Sequence, residues 1–154
     1  MNIARETLYA AVFAKFAGLS FSSGGSTAFG TYSRRLQHWD DVASENCPAL
    51  FQVQGSEVAE QVRGIPTKWR AQIYLYLYVK TNATMDGDAV PSQLLNPILD
   101  AIDNALRPDD LKAGTCTLGG LVSHCWINGA IETSEGNLGD TEVAIIPVEF
   151  YVPL

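Results

Sequence analysis

The chain has 154 residues, of which 47% are hydrophobic and 18% charged. That size and balance fit one globular domain spanning residues 1–154 and argue against disorder. Ten Lys and Arg against seventeen Asp and Glu leave a formal net charge of −7, a poor match to a nucleic-acid-binding module or an anionic membrane surface.

Residues 3–18 read as an amphipathic helix, because Leu8, Val12, Phe16 and Leu19 recur at spacings of four, four and three. The apolar run Leu8–Ala14 is about half a membrane span and is flanked by Glu6 and Lys15, so it is not expected to be a signal peptide or a membrane anchor. Ser20–Thr27 is Ser/Gly-rich and reads as a flexible loop without a phosphate-loop pattern. Phe29–Trp39 is a weak strand candidate. Ala49–Gln54 is a short strand, and the polar stretch 55–66 is a long loop or an extended hairpin.

Thr67–Thr81 alternates most clearly. Trp69, Ala71, Ile73, Leu75, Leu77 and Val79 occupy one face of a strand, and Lys68, Arg70, Gln72, Tyr74, Tyr76, Tyr78 and Lys80 the other. The apolar set, with Trp69, Ile73, Leu75 and Leu77 foremost, is expected to lie under the helices. Asn82–Asp88 reads as a turn. Pro91–Leu106 is a second helix, with Pro97 either opening it after an Asn96 cap or lying inside it after a first turn. Leu121–Thr133 is a strand in which Gly129 marks a bulge or a close approach. Glu142–Val152 is the last strand, which Pro147 assigns to a sheet edge or a bulge. Ser134–Asp140 joins these two strands as a hairpin. The order is α+β: an antiparallel or mixed sheet of four or more strands with two helices packed on one face.

Few residues suggest chemistry. Cys47, Cys116 and Cys125 are odd in number and form no Cys-x-x-Cys, so they read as buried reduced thiols. A zinc site from His124, Cys125 and Cys116 meets the objection that neighbouring strand residues point to opposite faces. The paired carboxylates Asp40/Asp41, Asp86/Asp88 and Asp109/Asp110 fall in turns, and no nucleophile pattern occurs. The reading is therefore of a protein without metal, cofactor or catalytic turnover. Arg34-Arg35 and the group Arg63, Lys68 and Arg70 are the basic features. Three tyrosines at i, i+2, i+4 suit either cross-strand packing or an interface, since Tyr joins contact area to a polar tip. Residues 101–154 hold two basic and eight acidic groups.

Several stretches carry a resemblance: Ser33-Arg34-Arg35-Leu36-Gln37-His38-Trp39, Pro48–Gly55, Pro66-Thr67-Lys68-Trp69, Tyr74–Val79, Val90–Pro97 and Gly119–Ile127. In wording and order, over about 2–18 and 31–152, the chain resembles the tail terminator (tail completion) proteins of long-tailed bacteriophages. The resemblance implies a small α+β virion protein forming a hexameric ring at the head-proximal end of the tail. Such a ring ends tube polymerisation, meets the tail tube protein and the head-completion or connector protein, and lets DNA pass through its lumen without sequence-specific binding. A ring uses heterologous contacts. Arg63, Lys68, Arg70, Tyr74, Tyr76 and Tyr78 are the candidate residues of one contact face, and the acidic C-terminal third is a candidate for the other face or for the lumen. A head–tail joining stopper is the alternative within the same class. A small ligand-binding or enzymatic α+β domain is the alternative outside it.

Overall fold

The computed structural model describes residues 2–81, 89–135 and 138–152. Helix α1 spans Arg5–Ala17. Strands β1 (Thr31–Ser33), β2 (Ala49–Glu60) and β3 (Lys68–Lys80) follow, then helix α2 (Pro91–Ala105), then β4 (His124–Ile127), β5 (Glu132–Thr133) and β6 (Thr141–Val152). The six strands form one mixed sheet in the order β1-β2-β3-β6-β4, with β5 also on β6. β1 runs parallel to β2, and the other pairs are antiparallel. The α+β class read from the sequence is the observed one, and the sheet is mixed.

The inner face of the sheet meets both helices. From α1 come Leu8, Tyr9, Val12 and Phe16, and from α2 Leu94, Leu95, Ile98 and Ile102. They cover Leu50, Ala71, Ile73, Leu75, Leu77, Ile146, Val148 and Phe150, all nearly solvent-free. Burying each large aliphatic here is worth about 1.5–3 kcal/mol, so this layer dominates the fold. Trp69 departs from the expectation. It is only half-buried, at the edge of the core, with the Arg5 guanidinium 5.1 Å from its ring centre. The helix that would cover it starts at Arg5, so a cation from the first turn lies over the indole in place of an apolar side chain.

In α1, Glu6 in the first turn and Lys15 in the last complement the helix dipole. In α2, Pro91 stands at the first helical position, where its missing N–H costs nothing, and Pro97 lies within the helix. Of the two readings of Pro97, the one with a first turn at 91–96 holds. The Ser/Gly-rich stretch is tied down rather than loose. Phe21 and Ser23 are buried, Ser23 and Ser26 exchange backbone hydrogen bonds, and the Ser23 hydroxyl donates to the Leu94 carbonyl at 2.6 Å.

Three other expectations change. The 29–39 candidate shrinks to Thr31–Ser33: Phe29 packs against the main core, Arg34 pairs with Glu6, and residues 36–39 turn over the outer face beside Tyr76 and Tyr78. The 49–54 strand continues to Glu60 through a register shift between Gln54 and Glu57, so the hairpin reading of 55–66 holds for its first half. The 121–133 strand is two short strands. Their pairings with β6 differ in register, so that residues 128–131 oppose only Pro147 and Ile146. The Asn82–Asp88 turn lies outside the described residues, as do positions 136–137 of the last hairpin loop.

Candidate subunit interface on the outer face of the sheet

The even-numbered residues of β3 point away from the helices. The pairing register sets Tyr74 beside Val53 and Pro147, Tyr76 beside Phe51 and Ile145, and Arg70 beside Val58 and Tyr151. One end of this outer face has its own small core. The segment carrying Val42 and Trp39 folds over Ala49, Phe51 and Tyr78. There the Tyr78 hydroxyl donates to the Gln37 carbonyl at 2.6 Å and the Lys80 ammonium to the Val42 carbonyl at 2.6 Å.

This placement divides the six candidate interface residues. Tyr78 is 4% exposed, and burial pushes its hydroxyl up to about 12. Its ring packs in the subunit's own small core and reaches the surface only at the floor of the groove beside Leu36 and Trp39. Tyr74 and Tyr76 are half-buried, Tyr76 against the margin of that small core, and the Tyr74 hydroxyl donates to Gln72 at 3.1 Å. Arg70 is not a free cation. Its Nε lies 3.3 Å from Glu149 Oε1 and its Nη1 3.7 Å from Glu60. The Glu149 carboxylate beside it holds the guanidinium more firmly protonated than usual. Glu149 is buried, and its other oxygen accepts from Asn128 Nδ2 at 2.8 Å. The Arg70 contact has the distance of an ion pair without the alignment of a hydrogen bond. Lys68 and Arg63 are exposed, Lys68 at the start of β3 and Arg63 in the turn before it. Arg34 also serves the fold, donating to Glu6 of α1.

The acidic C-terminal third does not form one surface. Glu142 and Glu149 are buried. Burial and the neighbouring Glu135 push the Glu142 carboxyl above its usual value. Asp109 binds its own loop, accepting from Thr117 N at 2.6 Å, Thr117 Oγ1 at 2.9 Å and Gly119 N at 3.1 Å. These hydrogen bonds, that from Gly119 foremost, hold its carboxyl down to about 2. Asp103 on α2, Asp110 in the loop after it, and Glu132, Glu135 and Asp140 on the β5–β6 hairpin remain exposed.

Two features of the face were missed at the sequence level. His124, Trp126 and Tyr151 form a continuous stack, with ring centres 4.7 and 5.4 Å apart. Alternation places His124 and Trp126 on one side of a strand, but only the β4–β6 pairing brings Tyr151 between that strand and β3. The second feature is a groove of about 390 Å³ lined by Leu36, His38, Trp39, Tyr76 and Val143. Leu36 is 44% exposed there. The residues of this groove come from segments about 40 and 100 positions apart.

His124 and Cys125 occupy opposite faces. Cys125 is in the main core, where burial pushes its thiol up to about 12, and His124 Nδ1 accepts from the Cys116 backbone N–H at 3.1 Å. Cys47, Cys116 and Cys125 are free thiols, and Cys47 is only half-buried. Among the described residues, no three His, Cys, Asp or Glu side chains cluster at metal-holding distance, and no helix is long and apolar enough to cross a membrane. Neither the family models nor the curated proteins compared with the chain give a match.

Proposed function

We propose that this chain is a structural virion protein. It assembles into a ring, six-membered as the tail-terminator resemblance implies, at the head-proximal end of a phage tail. There it ends growth of the tail tube and offers the head-completion protein a docking surface, while DNA passes through the lumen without sequence readout. Its assembly takes place in the host cytoplasm.

One observation carries the reading. The outer face of the central sheet carries half-buried aromatic side chains, with Tyr76 at the margin of the small core around Tyr78, Tyr74 next along β3, and Trp126 stacked on Tyr151 across β4 and β6. Tyr and Trp are the residues that anchor interfaces, and here they lie on both sides of the polar group Arg70, Gln72 and Glu149. The resemblance supplies the ring and its place on the tail.

Virions assembled without this protein test the reading. A terminator's loss leaves tails of abnormal length. Finished tails of normal length that fail to join heads would assign the protein to the stopper role instead. Normal virions in its absence would remove the proposal.

A further inference from the structure

The hairpin loop between β2 and β3 lies beyond the last β3–β6 pair, Trp69 with Val152. At its tip, Ile65 N donates to the Val62 carbonyl at 3.1 Å and Gly64 has φ +87°. A four-residue turn with positive φ only at its third position is type II, which explains glycine there. The turn places Arg63 at the corner between two apolar side chains, Val62 at 61% exposure and Ile65 at 46%. None of the described residues covers them enough to bury them. At the other end of the face is the groove of Leu36, Trp39, Tyr76 and Val143. Asp40 and Asp41 directly follow Trp39 and are exposed, and the exposed Arg35 directly precedes Leu36.

The two surfaces are complementary, and one subunit cannot join its own. Tyr76 is eight steps along β3 from Lys68, about 26 Å at about 3.3 Å per residue. We infer that the Val62–Ile65 tip of one copy docks into the Leu36–Trp39–Tyr76 groove of the next copy, with Arg63 facing Asp40 and Asp41. This inference rests on the ring reading and specifies its contact. The apolar pair supplies buried area and the charges set orientation. A tip at one end and a groove at the other make the contact heterologous, so every copy has one of each to offer.

Mixing two variants tests this. V62D/I65D disables the tip and L36D disables the groove. All three sites are exposed, and thermal unfolding checks that each variant folds. In analytical ultracentrifugation each variant alone should assemble at least about tenfold more weakly than wild type. Mixed one to one, they should form a dimer and nothing larger, because only one intact tip then meets one intact groove. R63E should weaken wild-type assembly, and D40R/D41R should restore it. Variants that assemble like wild type overturn the tip–groove contact while leaving the ring standing. L36D protein that assembles normally but no longer binds tail tubes gives the groove to the tube and also overturns it. Wild type that stays monomeric, with no dimer from the mixture, removes both the contact and the ring.

Discussion

The Asn128 backbone N–H donates to the Pro147 carbonyl at 3.1 Å, in the stretch where β4 ends and β5 has not begun. Within a strand, a residue's N–H and C=O point to the same side. Pro147 therefore turns its missing donor toward β4, where the two-residue register change leaves no acceptor waiting. This is how a proline sits in β6, which is flanked by β3 on one side and by β4 and β5 on the other. Of the sequence's two readings for Pro147, the edge strand is wrong and the bulge is right.

Gly129 lies in that bulge with φ +116°, and a Cβ added there would meet Pro147 Cγ at 3.3 Å. Gly129→Ala should therefore cost about 1–3 kcal/mol through backbone strain alone. Chemical denaturation reads this directly. A change below a few tenths of a kcal/mol would mean that the bulge can rearrange.

The two tyrosine environments separate in mutation. Tyr78→Phe removes a hydrogen bond of 2.6 Å to Gln37 inside the small core and should cost about 0.5–1.5 kcal/mol of stability. Tyr76→Phe keeps the ring of a half-buried side chain whose hydroxyl has no hydrogen-bond partner among the described residues, and should change stability by less than about 0.5 kcal/mol. Equal losses in urea denaturation would contradict the division of the ladder.

Arg70 and Lys68 should also differ. Arg70→Glu sets a third carboxylate beside Glu149 and Glu60, so its melting temperature should fall clearly below that of Lys68→Glu. The basic group at 63–70 is thus part internal ion pair and part free charge. Lys68→Glu melting as low as Arg70→Glu would speak against this.

Asp109 fastens the loop between α2 and β4. Its folded carboxyl is held at about 2, below the ordinary 3.8. A depressed carboxylate adds stability that is present above the unfolded value and lost as pH falls through the folded one. Asp109→Asn should be less stable than wild type at neutral pH, and the gap should close between about pH 4 and pH 2. A gap that stays constant over that range would assign the effect to shape rather than charge.

Legibility followed the length of the pattern. Thirteen alternating residues announced β3, and the Leu94–Ile102 spacing announced α2, because one buried face repeats over several turns or pleats. The outer half of β2 did not read as strand. Its residues from Gln54 onward are mostly exposed, and a bulge resets the alternation at Glu57. The partial neutralisation of Arg70 was hidden for a different reason. Glu149 is 79 positions away in sequence, and only the β3–β6 register brings them together. The Leu36–Trp39 groove likewise exists only once that segment has crossed the sheet.

Electron microscopy of the purified protein mixed with tail tubes tests the central claim most directly. The account predicts cyclic particles, six-fold in class averages, seated on one end of each tube and stopping its growth. Particles without cyclic symmetry, or protein bound along the tube walls rather than at an end, would contradict it.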